Sequence, residues 1–185
     1  MSAAGRRTDG PTGPWIRLVA LLQVMAAPLA GQLAVRADTL YTMAGPPIAN
    51  GVVLIGKDGK VEQVGPAARV RVPRGVRTLS ARIVTPGLVD AHSVVGLAGA
   101  LNVPHDQDQL ETSDPVQPEL RAFDAYDARE RLVEWLRSFG VTTLHTGHGP
   151  GALMSGQTMV VKTTGSSVAE ALVDSVTMVA MTLGP

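Results

Sequence analysis

The sequence predicts an α/β protein in two parts, a small β unit followed by alternating strands and helices. Three observations carry this. Between 33 and 84, short apolar runs are separated by turn residues, with Asp58-Gly59 between two of them. Pro86-Gly87 then breaks the chain, and Leu88-Val89-Asp90-Ala91-His92 reads as a short, mostly apolar strand ending in a polar residue. A helical apolar pattern from Asp127 to Phe139 stops at Gly140 and hands over to the apolar run Val141–Thr146. Strand, loop, helix, strand is the order of a parallel α/β architecture.

Composition narrows the function classes. The 185 residues are 45% hydrophobic and 17% charged, an ordinary globular balance. Sixteen basic and sixteen acidic residues give a net charge of zero, which offers no electrostatic case for nucleic acid or an anionic membrane. Only 3% of residues are aromatic, too few for a base-stacking surface. There is no cysteine, so disulfides, thiolate zinc sites and a cysteine nucleophile are excluded. Any metal would need His, carboxylate or Lys-derived ligands.

The elements follow in order. Arg6, Arg7 and Arg17 precede an apolar stretch from Leu18 to Leu29, with small residues at Ala26, Ala27, Ala30 and Gly31. A basic region, a short apolar core and a small-residue zone predict a secretory signal peptide over 1–31. The stretch is too short for a spanning helix of ~20 residues. Export to a bacterial periplasm or exterior is expected, with no membrane association after cleavage. From 32 to 84 an antiparallel β unit is expected. Leu33–Tyr41 alternates, Gly51–Gly56 is a short apolar strand, and Lys57-Asp-Gly-Lys turns into Val61–Val64. Asp-Gly between two such runs is a hairpin signal, because Gly accepts the positive φ that the turn demands. Val70–Val72 is another short strand, and Arg77–Val84 leads into the next region.

The second part runs from 85 to 185. A long segment from Asn102 to Ala125 lacks a clear period, and its acidic stretch His105–Glu111 is a candidate substrate-contacting loop or a solvated one. Asp127 can cap the helix that follows, on which Leu132, Val133, Leu136 and Phe139 share one face. Gly140 stands where a glycine ends a helix. Val141–Thr146 is the next strand, Gly147–Gly156 a glycine-rich loop, Met159–Thr163 a third strand, and Val168–Met181 a closing helix. His145 and His148 flank the end of the second strand. Their spacing of three places them on opposite faces of a regular strand, so they converge only if the chain turns at Gly147. Gly147–Ala152 fits the degenerate Gly-x-Gly-x-x-Ala pattern, but Pro150 and Gly151 lead to another strand and not to the helix that dinucleotide binding needs. No Gly-x-Ser-x-Gly elbow, P-loop or His-Glu-x-x-His is present.

A β unit of about fifty residues ending in Pro-Gly-Leu-Val-Asp-Ala-His resembles the amidohydrolase superfamily, especially its imidazolonepropionase-like members. Ser138-Phe-Gly-Val-Thr-Thr143 is similar to the pattern with which that family enters its second strand. The resemblance implies a small β-sandwich built from both chain ends beside a (β/α)₈ barrel holding one or two metal ions. On that footing residues 32–84 are part of the sandwich, and 85–185 are the start of a (β/α)₈ metal-dependent hydrolase barrel. A barrel of this type needs ~250 residues, so the chain is expected to be the N-terminal part of a longer protein.

The family's His-x-His pair aims two imidazoles to one side of the first strand, since alternate residues share a face. Such a pair can hold a divalent ion that acidifies a bound water. Here the residues are His92, Ser93 and Val94, so an aliphatic side chain replaces the second imidazole. The resemblance implies zinc, with His92, and after it His145 and His148, as metal candidates. Each could equally be a hydrogen-bonded histidine at a strand end or in a loop. Asp90 is expected to organise the strand end. Lys162 matches the family's bridging lysine by residue type only and otherwise reads as a solvated lysine. The implied activity is hydrolysis of carbon–nitrogen (non-peptide) or related bonds in a small-molecule substrate by metal-activated water. No nucleic-acid partner is expected, and homo-oligomerisation is compatible with the family. The alternative is a non-catalytic binding relative that has lost its metal site.

Overall fold

The computed structural model describes residues 31–183. The expected signal peptide therefore lies, apart from Gly31, outside the described residues. The chain divides between Val84 and Thr85 into two compact units.

The first unit is one four-stranded sheet. Its strands are β1 (Leu33–Leu40), β2 (Ile48–Ile55), β3 (Val61–Pro66) and β4 (Arg77–Val84), in the order β3-β2-β1-β4. The Asp-Gly hairpin forms between β2 and β3 as the sequence suggests. Gly59 sits at φ +77°, and Asp58 Oδ1 accepts the Lys60 amide at 3.1 Å. Two expectations are corrected. β4 runs parallel to β1, not antiparallel, with Val35 opposite Leu79. Val70–Val72 is no strand but part of the connection that returns the chain to the start of β4. The Arg69 and Val70 amides turn back onto the Pro66 carbonyl at 2.8 and 3.2 Å. Val70 is then buried with Ala34, Val52 and Leu54, while Val72 and Val76 pack beside them. Side-chain burial thus claims a run that propensity alone would give to a ladder.

The second unit contains β5 (Leu88–Ser93), α1 (Ala122–Ala125), α2 (Arg131–Ser138), β6 (Val141–Thr146), β7 (Met154–Gln157), β8 (Met159–Lys162), α3 (Val168–Ala171), β9 (Leu172–Asp174) and β10 (Val179–Met181). One sheet has the order β5-β6-β8-β9, and β7 pairs with β10. β5 and β6 are parallel, joined through α2, with Asp90 opposite Leu144. This is the crossover expected from Thr85 onward. The helix begins one turn later than Asp127 suggests. Glu130 is the cap residue and accepts the Leu132 amide, while Asp127 takes the Arg129 amide at 2.9 Å. Gly140 closes the helix at φ +87°.

Three further expectations of the second unit change. Phe139 does not join the buried face of α2; it is 65% exposed and packs edge-on against Trp135 at 4.9 Å. β8 is antiparallel to β6, with Leu144 opposite Val161. The segment between them, Gly147 to Thr158, holds β7 but no helix, and a parallel return needs a crossover, usually helical. The closing helix shrinks to the four residues of α3, followed by β9 and β10. Val173, Val176, Thr177 and Val179 are β-branched and favour extended backbone. Between strands of this unit, parallel pairing is confined to β5 and β6 among the described residues.

The core of the unit lies between the β5-β6-β8-β9 sheet and the helices. Leu144, Met159 and Val161 are fully buried, with Leu97, Tyr126 and Val133 around them. The Tyr126 hydroxyl is buried without a hydrogen-bond partner. Burial first, then the carboxylates of Asp127 and Glu130, push its pKa up to about 12.

Candidate functional site

Parallel pairing brings the carboxyl ends of β5 and β6 side by side, Ser93 opposite Thr146. The polar residues at these ends face three different fates. Asp90 Oδ1 accepts the His92 amide at 3.2 Å, a local turn that fixes the end of β5. The His92 side chain is exposed. Ser93 and Thr146 are buried and tie the following loop: Ser93 Oγ accepts the Val95 amide at 3.1 Å, and Thr146 Oγ1 donates to the Val95 carbonyl at 2.9 Å. Val94 lies beside the loop after β6, its Cγ1 3.7 Å from where a β-carbon on Gly149 would stand.

His145 is held on both sides. Its Nδ1 is 2.9 Å from the Ala91 carbonyl and its Nε2 is 2.7 Å from Thr158 Oγ1. A carbonyl only accepts, so Nδ1 carries the proton and donates. In the neutral ring Nε2 then accepts the one Thr158 hydroxyl proton at 2.7 Å, the competing acceptor, the Met178 carbonyl, being farther away at 3.2 Å. The imidazole is a tie between β5 and the start of β8, and both nitrogens are spent. A metal would have to displace Thr158 to reach Nε2.

His148 is the opposite case. It is 6% exposed, and neither ring nitrogen has a partner. Gln109 Oε1 is also buried and unpartnered, on the segment whose backbone carbonyl accepts the Gly149 amide at 2.6 Å. The ring presses on β7: a β-carbon on Gly156 would stand 2.6 Å from His148 Nε2. Burial lowers the His148 pKa below its usual 6.5. Burial thus favours the neutral ring in the folded chain, which fixes the sign of a pH effect. Above 6.5 both states are neutral and stability is full; as pH falls from 6.5 toward the depressed folded value, only the unfolded chain takes the proton and stability is lost. Urea midpoints taken at about pH 8 and 5.5 should fall for the native chain and fall less for His148→Leu. Equal losses in both proteins would contradict this assignment.

The other candidates are placed as follows. Lys162 is exposed and donates to Thr143 Oγ1 at 2.9 Å. The acidic segment 105–111 is tied to the backbone on either side of it and to Leu97 and Gly149. Asp106 accepts the Leu101 amide at 2.7 Å, and Glu111 accepts the Ser113 amide at 2.7 Å, whose hydrogen bond is the first cause of a lowered Glu111 pKa. Among the described residues no three His, Asp or Glu side chains come together closely enough to hold a metal ion. The structure therefore does not gather His92, His145 and His148 into one ligand set. Thr158 left no mark in the sequence, because a hydrogen bond across the sheet leaves no spacing signal for a lone polar residue, whereas Gln109 belongs to the 105–111 segment offered above as a substrate-contacting loop.

No protein-family profile matches the chain. A 68-residue stretch is 34% identical to an imidazolonepropionase of Rhizobium rhizogenes, covering 35% of this chain and 17% of that protein. The fold superposes on the crystal structure of an amidohydrolase from Thermotoga maritima MSB8 with a TM-score of 0.73 and 27% identity. That match covers 83% of this chain and 39% of the Thermotoga chain. The chain thus spans well under half the length of either relative.

Proposed function

Since the chain is related by sequence and fold to the amidohydrolase superfamily, we propose that it serves a hydrolase acting on carbon–nitrogen or related bonds of a small molecule. The observation that carries the reading is the superposition at a TM-score of 0.73 over 83% of the chain. A cyclic amide is the substrate class closest to the relative's name, imidazolonepropionase. The (β/α)₈ barrel, export to a bacterial periplasm or exterior, and a divalent ion such as zinc belong to the same proposal. So does the absence of nucleic-acid and membrane partners.

The residues described here do not themselves fit a metal centre. Val94 offers no donor, His145 has none to spare, and no three donors converge. No chemical step is therefore assigned through an ion. What this chain supplies is the strand-end framework: Asp90 fixes the end of β5, and His145 ties that end to β8. The same observations favour a second reading, a binding protein that keeps the scaffold without catalysis.

The full-length protein separates the two readings. Metal content and hydrolysis of a panel of cyclic amides should be measured before and after chelator dialysis, and again in His92→Ala. Stoichiometric metal, turnover lost on chelation and a fall of about 10²-fold or more in His92→Ala are expected of the hydrolase, on the scale of losing one well-placed group. Absence of metal together with unchanged turnover in His92→Ala would leave the binding reading standing.

A further inference from the structure

The zero net charge of the chain conceals a division. From Gly31 to Val84 there are eight Arg and Lys against three Asp and Glu; from Thr85 onward there are five against twelve. The first unit is basic and the second acidic. Within the first unit the topology concentrates cations at one end of the sheet. Leu33 opens β1 opposite Ile55 on β2 and Arg77 on β4, so the end of β2 and the start of β4 lie together. Lys57 follows β2, and Arg74 precedes β4. These three side chains, with Gln32, line a hollow of about 600 Å³.

We propose that this end of the β unit binds an oligophosphate. Lys57, Arg74 and Arg77 are all exposed. None of them is in an ion pair among the described residues, where the pairs found are Arg121–Asp124 and Arg129–Asp127 in the other unit. The carboxylates of Glu62 and Asp58 near this end take hydrogen bonds from Gln32 Nε2 at 3.1 Å and from the Lys60 amide and pair with none of the three cations. Two guanidinium forks present paired donors that match phosphate oxygens, and the lysine adds a third positive charge. Three cations around one hollow carry more charge than a single phosphate group neutralises, which favours a chain of phosphates over a single ion. Attraction of this kind is local: acidic groups farther away than about one screening length, roughly 8–10 Å at physiological salt, do little to weaken it.

The test titrates the full-length protein with sodium tripolyphosphate by calorimetry at low and high salt. Binding at low salt, weakened at high salt, is expected. The variant Lys57→Gln/Arg74→Gln/Arg77→Gln should bind about tenfold more weakly or worse, and Arg129→Gln in the other unit should bind as the native chain does. Because all three positions are exposed, an unchanged urea midpoint will show that the triple variant is folded. No binding, or equal binding by the triple variant, overturns the proposal. Phosphatidylglycerol vesicles that bind without competition from tripolyphosphate would overturn it in favour of a membrane surface. Salt-sensitive self-association, lost in the triple variant and untouched by tripolyphosphate, would overturn it in favour of the acidic unit of a second copy.

Discussion

Gly156→Ala is expected to destabilise the unit that begins at Thr85 by roughly 3 kcal/mol, combining the strain of a non-glycine residue at an unfavourable φ with overpacking. Gly156 sits at φ +131°, where L side chains are rarely found. A β-carbon there would stand 2.6 Å from His148 Nε2 and 2.7 Å from the Leu120 carbonyl oxygen. The first contact is with a side chain that could shift. The second is with backbone, and that carbonyl accepts the Gln157 amide at 2.7 Å, so moving it breaks a bond that seats the preceding segment on β7. Urea denaturation at neutral pH measures the loss. Adding His148→Ala to Gly156→Ala should recover only a minority of it, because φ and the Leu120 carbonyl are unchanged. A single-variant loss below ~0.5 kcal/mol would show that β7 and the His148 loop are not packed as described.

Leu144→Ala should cost about 2–5 kcal/mol, the usual range for a large-to-small change in a core that cannot collapse. Leu144 is 0% exposed and sits on the central strand β6, opposite Asp90 on one side and Val161 on the other. Its neighbour His145 depends on the same strand for its two bonds to Ala91 and Thr158. A cavity under β6 should therefore also loosen the strand-end framework. Hydrogen exchange offers a second measurement: the β6 amides should exchange faster in Leu144→Ala, together with those of β8. Loss of stability without faster exchange in β6 would place the damage elsewhere.

How much of the candidate site was legible in the sequence differs residue by residue. Asp90 was readable, because an Asx turn is a contact between near neighbours and needs no tertiary information. The absence of a second imidazole at Val94 was equally plain. The fates of His145 and His148 were not. They stand three residues apart in one glycine-rich context, yet one has both nitrogens bonded and the other has neither. What separates them is the position of Ala91, Thr158 and Gly156, brought up by strand pairing across the sheets. The charge division between the two units was present in the sequence throughout, but a whole-chain sum hides it.

The same physical line runs through the fold. By itself the sequence determined the Asp58-Gly59 hairpin, the strand Leu88–Ser93, the helix ending at Gly140 and the strand after it, because each is set by local backbone preference or short-range periodicity. Only the tertiary structure decided that β4 lies parallel to β1, that β8 runs antiparallel to β6, that Val70 plugs a core, and that β9 and β10 stand where a helix was expected. Those choices depend on where a connection can reach and which face can be covered, and neither is encoded in a window of neighbouring residues.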